Sequence, residues 1–571
     1  MGGRAAPTLP PGPGPGTPMT RLAIVGIDGA TFDVIRPMVE AGELPHIARI
    51  LREGASGELY SETPPMTPPA WTSMFTGLNP GKHGIFHFVR RKLGTYEVEL
   101  NDSRHYAGKD VMSLLSKRKW TVGALSVPMT YPPFPVEGGY MVSGIPMPLT
   151  GDTIAWPPGT TDRMEQVLGH PYRPDVDYGP YDGDTEGERD DLELYARLRD
   201  ELFDIERDRL RLVEHYLREH PTDFFFTVVS VTDRAQHYFW KFQDRSHAGW
   251  TEEGERRYGE VIRDAYRLAD EFVGRVRDLV GDDTPIALVS DHGFGPQHLD
   301  FHVNQWLEEE GFLVRRKTPY WRWKGTDLGR VLGRLGLGGL ARLLGPLARL
   351  PLGRPQRKTV PDQGDVVWSK TRAFAQLHGI CVNLEGREPE GIVPQGEGYR
   401  QVLAEIVQRL QALQGPDGRP AVDYTVVKES FYDGPRTAEA PDLQYQMLGL
   451  TCIPKEDWGT RDLFVRRKNA PISGQHRFPG IFALAGPGVA AGRTIEDMHI
   501  RDTTPTLLYA VGEAVPRWMD GAIRGEVLAE PGAPVWDESP EPSAGEGLEE
   551  AFSEEQSKAI EESLRGLGYI Q

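Results

Sequence analysis

A chain of 571 residues that is 39% hydrophobic and 26% charged has ample material for a large folded core, and wholesale disorder is excluded. Its formal net charge of −19 argues against a nucleic-acid binder that works through a bulk positive face. Two cysteines, Cys381 and Cys452, leave no disulfide framework and no cysteine-rich zinc site.

Residues 1–18 are Pro/Gly-rich, lack the apolar core of a signal peptide and read as a disordered leader. No apolar run is long enough for a transmembrane helix, so a cytoplasmic protein is expected. Beyond the leader, strand-like apolar runs alternate with amphipathic stretches. This pattern predicts an α/β fold with a central, mostly parallel sheet, helices on both faces and insertions. The run 22–27 stops at Asp28-Gly29. In the segment 67–77, Pro68 and Pro69 suit the first turn of a helix and make Thr67 its N-cap. A long charged helix is predicted from 192 to about 220. The run 224–231 ends just before Asp233, a second helix covers 252–279, and the run 286–290 ends at Asp291-His292-Gly293.

Residues 315–358 differ in kind, with 12 Lys/Arg against one acidic residue, Asp327. From 368 to about 441 a mixed α/β pattern resumes, with a helix near 396–413. His476 falls in a Ser-Gly-Gln-His-Arg loop before the apolar run 480–485. The tail is acidic, with 10 acidic and two basic residues between Asp537 and Ile570, and its part 552–567 is expected to form a short helix that docks or stays solvated. The expected organisation is a leader (1–18), a catalytic domain (19–313 and 359–530), a basic Leu/Gly/Arg insertion (314–358) and an acidic tail (531–571).

Three of the strands end in a carboxylate, and in parallel sheets ligands sit beyond the carboxyl ends of the strands. Asp233 and His237, four residues apart, share one face of any helix that starts there. Asp291 and His292 are adjacent, followed by Gly293 and Gly295 in a turn that admits a ligand. Carboxylate and imidazole together suit zinc or manganese, and this many ligands suit two ions. A single strand-end aspartate is most often a turn former, and Thr67 alone would be read as a cap as readily as a nucleophile. Three strand-end acids with histidines in the same pattern carry much more weight.

Taken together the motifs resemble the alkaline phosphatase superfamily, in particular its type I phosphodiesterase/nucleotide pyrophosphatase branch and a related group of phosphohydrolases and phosphomutases. They are Gly26-Ile27-Asp28-Gly29, Thr67 nine residues before Thr76-Gly77, Asn79-Pro80-Gly81-Lys82-His83-Gly84, Asp233-x-x-x-His237, Asp291-His292-Gly293 and Gly474-Gln475-His476. The resemblance covers roughly 20–310 and 362–525. It implies one metal site on Asp233, His237 and His476 and another on Asp28, Asp291 and His292 with the Thr67 oxygen. It also implies a threonine nucleophile, a phosphothreonyl intermediate and two divalent ions, zinc or alternatively manganese. Sulfatases of this superfamily carry a modified cysteine or serine at the nucleophile and an arginine four residues on, whereas here those positions are Thr67 and Trp71. The asparagine that binds a phosphoryl oxygen three residues after the threonine is replaced by Ala70, leaving a backbone N–H, Lys82 or Arg90 as substitutes for substrate binding.

The expected activity is therefore metal-dependent hydrolysis of phosphate esters, of phosphodiesterase or pyrophosphatase type. The alternatives are a phosphomonoesterase, or a phosphomutase or phosphoryl transferase on the same site. The substrate is expected to be a phosphorylated small molecule, nucleotide or lipid-linked phosphate, without nucleic-acid binding. The basic segment 315–358 reads as a packed loop, a lid, or a peripheral membrane contact through its tryptophans and arginines.

Overall fold

The computed structural model describes residues 20–92, 94–149, 151–178, 181, 192–316, 366–458, 462–468, 470–543 and 552–567. The leader and all but the first residues of the basic insertion lie outside the described residues.

In chain order the elements that build the site are strand β1 (Leu22–Ile27), strand β2 (Ala55–Tyr60), helix α1 (Thr67–Thr76), strand β3 (Val122–Val127) and strand β4 (Tyr140–Ser143). Helix α2 (Leu192–Glu219), strand β5 (Phe224–Val229), helix α3 (Val231–Gln243), helix α4 (Val261–Val280), strand β6 (Ile286–Val289), strand β7 (Pro479–Ala485) and the C-terminal helix α5 (Glu554–Gly566) follow. The strands form one sheet in the order β2-β7-β6-β1-β5-β3-β4, extended at its edges by Arg493–Thr494 and Ala155–Trp156. Every residue of β1, β3 and β5 is buried, as a sheet covered on both faces requires.

Register explains why the strand-end acids converge. β1 pairs in parallel with β5, Ile27 opposite Val229, and with β6, Gly26 opposite Val289. The residues that follow these strands, Asp28, Ser230 onward and Asp291, therefore leave the sheet at one rim. β7 runs the other way between β2 and β6, with Phe482 opposite Val289. Its N-terminal end lies at that same rim, so His476, three residues before it, arrives there too.

Several local expectations change. The strand expected over 224–231 ends at Val229, because Ser230 turns into a helical conformation (φ −108°, ψ −12°) and α3 starts at Val231. The helix expected over 252–279 is two helices, Glu252–Tyr258 and α4, broken at Gly259-Glu260. Thr67 is the first residue of α1 and Met66 is its N-cap, with no side-chain capping bond. His476 lies in a short strand, Gly474–Arg477, paired antiparallel with Gly293–Pro296. The glycines at 293 and 295 serve that pairing and not a turn: a Cβ on Gly293 would lie 1.9 Å from the Pro479 carbonyl oxygen, and one on Gly295 would lie 2.7 Å from the Arg477 guanidinium.

A second hydrophobic core gathers Phe301, Trp306, Trp368, Phe374 and Ile406. It is built on a four-stranded antiparallel sheet of Ala373–Gln376, Gly379–Val382, Leu443–Met447 and Val422–Val427 with the helix Glu397–Ala412. The tail helix α5 docks. Ile560, Leu564 and Leu567 are buried in the main core, and Phe552 stacks on Tyr131 at 5.1 Å.

Candidate active site

The seven residues Asp28, Thr67, Asp233, His237, Asp291, His292 and His476 are all buried, none more than 3% exposed. Each is delivered by the rim just described: Asp28 by β1, Asp233 and His237 by the first turns of α3, Asp291 and His292 by the exit of β6. His476 comes from the strand leading into β7, and Thr67 from the start of α1.

The three histidines share one arrangement. Each ring turns its Nδ1 to a backbone carbonyl: His237 to Gly474 at 3.1 Å, His476 to Pro65 at 2.9 Å and His292 to Gly293 at 3.1 Å. A carbonyl only accepts, so Nδ1 carries the proton and Nε2 is left with its lone pair. Those lone pairs point at one another and at the carboxylates. His237 and His476 bring their Nε2 atoms to 3.1 Å, and both lie 3.5 Å from Asp233 Oδ1. His292 Nε2 lies 3.1 Å from Asp291 Oδ2, 3.7 Å from Asp28 Oδ1 and 3.9 Å from Asp233 Oδ1. Two facing lone pairs repel unless a cation lies between them. Asp233, His237 and His476 form one cluster whose ligand atoms lie within 4.8 Å of one another, and Asp28, Asp233 and His292 form a second. The donor set thus fits a pair of divalent cations, with the Nδ1–carbonyl bonds fixing the tautomers as metal-binding histidines require.

Electrostatics point the same way. Burial, with the Asp233 charge nearby, pushes Asp28 up to about 8. Burial and the Asp28 and Asp233 charges push Asp291 well above the carboxylate range. Against the cost of burial, His237, His476 and Arg234 hold Asp233 well below it. Burial lowers His237 to about 3 and His292 well below its ordinary value. Three buried carboxylates in one site cannot all ionise without cations to offset them.

Thr67 Oγ1 lies 3.3 Å from His292 Nε2, so its hydroxyl faces the cluster and not its own helix. Lys82 and Arg90 do not bond to any of the seven. Lys82 Nζ pairs with Asp520, and Arg90 Nη2 lies 2.8 Å from Glu99. The Ala70 N–H donates to Met66 O at 3.1 Å, within the first turn of α1. The sequence motifs missed the groups that brace the ligands. Trp71 Nε1 donates to Asp28 Oδ2 at 3.3 Å, and Arg234 Nη1 to Asp233 Oδ2 at 2.5 Å. The Asp28 carbonyl accepts from Thr232 Oγ1 at 2.7 Å, and Ser290 Oγ takes the Ala30 N–H at 2.8 Å. Spacing held a signal for two of them: Trp71 stands one helical turn after Thr67, and Arg234 adjoins Asp233.

The sequence profile of the type I phosphodiesterase/nucleotide pyrophosphatase family matches residues 22–432, well over half of the chain. The chain belongs to the type I phosphodiesterase/nucleotide pyrophosphatase family. Membership makes this phosphodiesterase-family protein a phosphoester hydrolase, in a family whose chemistry implies divalent metal ions. His476 falls beyond the matched span and is joined to the site by the fold alone. Among solved structures, the chain is similar to phosphonoacetate hydrolase from Sinorhizobium meliloti 1021 in complex with phosphonoformate, at 15% identity and a TM-score of 0.49. That match covers 88% of this chain and 99% of that one. It is also similar to human ectonucleotide pyrophosphatase/phosphodiesterase 5 (12% identity, TM-score 0.45, 90% and 100% covered). A third similar structure is the alkaline phosphatase PafA (14% identity, TM-score 0.46, 90% and 100% covered). A search of curated proteins finds no match. No helix among the described residues is long and apolar enough to cross a membrane. The basic segment, read from its sequence as a packed loop, a lid or a membrane contact, lies outside the described residues from 317 on.

Proposed function

We propose that this protein is a two-metal phosphodiesterase or pyrophosphatase in which Thr67 is the nucleophile. The observation that carries the reading is the gathering of three imidazole Nε2 lone pairs and three carboxylates in one buried cluster, with every Nδ1 committed to a backbone carbonyl and the Thr67 hydroxyl 3.3 Å from His292 Nε2. Asp233, His237 and His476 would hold one ion, and Asp28, Asp291 and His292 the other, together supplying Lewis acidity and charge stabilisation for in-line displacement at phosphorus. Zinc is the proposed ion, since mixed imidazole and carboxylate ligands suit it.

Thr67 Oγ1 releases its proton to solvent and attacks phosphorus. Its bond to phosphorus forms as the bond to the leaving alkoxide or phosphate breaks, giving a phosphothreonyl ester that water then hydrolyses. α1 contributes by position. Pro68 and Pro69 set its first turn, and the positive end of the helix dipole favours the anionic phosphoryl group beside Thr67. The proposed substrate class is a phosphorylated small molecule bearing a diester or pyrophosphate linkage.

The test uses purified protein loaded with zinc or manganese, assayed side by side on bis(4-nitrophenyl) phosphate and 4-nitrophenyl phosphate. Metal-dependent turnover with the diester ahead is expected, and Thr67→Ala should fall to background. A fully active Thr67→Ala variant would remove the covalent mechanism. A monoester strongly ahead would replace the diesterase reading.

A further inference from the structure

We propose that Arg234 is a positioning residue for Asp233, and that the C-terminal helix α5 seats it. The inference rests on the reading of Asp233 as a metal ligand.

Asp233 divides its two oxygens between two tasks. Oδ1 faces the Nε2 atoms of His237, His476 and His292, while Oδ2 receives Arg234 Nη1 at 2.5 Å. Arg234 is itself fully enclosed, with only 2% of its side chain exposed. Its Nη2 reaches Asp175 Oδ2 at 3.2 Å, and its guanidinium lies 5.9 Å from the centre of the Tyr178 ring. A guanidinium stays charged and planar, so one that spans two carboxylates fixes the direction of both. Here it leaves Asp233 one lone-pair face, and that face looks at the histidines.

Asp175 is held in turn, its Oδ1 accepting the Tyr178 hydroxyl at 3.0 Å and the Val176 N–H at 2.8 Å. α5 closes the arrangement from outside. Tyr178 stacks on Tyr238 at 5.8 Å with rings 8° apart, and the Tyr238 hydroxyl donates to the Gly566 carbonyl at 2.5 Å. Tyr238 is the residue after His237 on α3. Gly566 lies so close to Tyr178 that an added Cβ would stand 2.5 Å from the tyrosine Cβ and 2.9 Å from its backbone oxygen. Buried Leu564 and Leu567 anchor the helix there. The end of the chain thus presses on both sides of the ligand-bearing turn: on Tyr238 directly, and on Arg234 through Tyr178 and Asp175.

The test is zinc affinity, read by competition with a chromophoric chelator on the full-length protein, together with kcat, KM and the melting temperature of the zinc-free form. Arg234→Met should weaken the looser of two zinc ions by about 10- to 100-fold, the range for partners that orient metal ligands. At fixed zinc, kcat should fall with little change in KM, and excess zinc should restore much of it. Arg234→Lys keeps one charged contact, so its loss should stay below about tenfold, and it gives the answer if the methionine variant fails to fold. Gly566→Ala should weaken zinc in the same direction by displacing α5 from Tyr178. Wild-type zinc affinity in Arg234→Met, or equal losses in the Met and Lys variants that merely follow melting temperature, would overturn the role of Arg234. Unchanged affinity in Gly566→Ala would overturn the role of α5. A wild-type protein that binds no zinc would instead sink the metal reading itself.

Discussion

Replacing Trp71 with phenylalanine separates what the tryptophan does for the core from what it does for Asp28. Its indole ring is fully buried, 6.0 Å from Phe226, and it covers Gly26 of β1 so closely that an added methyl there would lie 2.5 Å from Cη2. Its N–H donates to Asp28 Oδ2 at 3.3 Å. In the zinc-loaded protein the cations keep Asp28 ionised, and a hydrogen bond to a charged group contributes roughly 1.5–3 kcal/mol. The smaller ring vacates roughly 40 Å³, which at about 24 cal/mol per Å³ adds roughly 1 kcal/mol. The expected loss in urea denaturation is therefore roughly 2.5–4 kcal/mol. Zinc affinity should fall roughly 10- to 100-fold as Asp28 loses its orienting donor. Phe226→Leu is the control: it disturbs the same packing and removes no donor, so stability should drop while zinc affinity holds. If Trp71→Phe loses stability but binds zinc like the wild type, the indole has no part in aiming Asp28 and the reasoning fails.

Thr67→Ser keeps the hydroxyl but frees its rotamer, so kcat/KM measured on a diester should fall by about tenfold while remaining well above Thr67→Ala. Gly293→Ala forces a methyl to 1.9 Å from the Pro479 carbonyl oxygen; chemical denaturation should show a loss of about 1–3 kcal/mol, with weakened zinc binding because His292 is the preceding residue. In the second core, Asp442 is fully buried and takes a bidentate contact from Arg387 at 2.7 and 2.6 Å and Lys428 Nζ at 2.7 Å. Against burial, Arg387 and Lys428 hold its carboxyl well below the usual range. A depressed carboxylate stabilises the fold above its unfolded value of about 3.9 and loses that contribution as pH falls through the folded value. Asp442→Asn should thus cost about 3–5 kcal/mol at pH 7 in urea denaturation, and its gap from the wild type should narrow steadily as pH falls below about 4.

The residues that the fold gathers at the rim were legible as candidates because each stands at a strand end or in a short motif whose type and spacing are conspicuous. The α/β pattern was legible because β1, β5 and β6 are unbroken apolar runs bounded by carboxylates. What brings the residues together was less visible, since it depends on pairings over hundreds of residues. β7 returns antiparallel beside β6 and carries His476 to the rim, which no local pattern around 474–477 announces. Gly293 and Gly295 read as a turn because glycine most often marks one, whereas here the missing side chains let two strands and Arg477 approach. Thr67 read as an N-cap because Ser and Thr usually are, but its hydroxyl turns to His292 and leaves Met66 at the cap. Arg234 and Trp71 were marked only by their spacing from Asp233 and Thr67, and the role of α5 not at all, because what these groups do is set by contacts across the fold. The basic segment 315–358 stood out by composition alone, which is compatible with a packed loop, a lid or a membrane contact.

In the proposed mechanism six side chains hold a pair of cations beside Thr67. Anomalous diffraction at the zinc edge, from crystals grown with zinc, tests this most directly. Two peaks should appear roughly 4 Å apart, one among Asp233, His237 and His476 and the other among Asp28, Asp291 and His292 beside the Thr67 hydroxyl. A single peak, or zinc bound only outside this cluster, would contradict it.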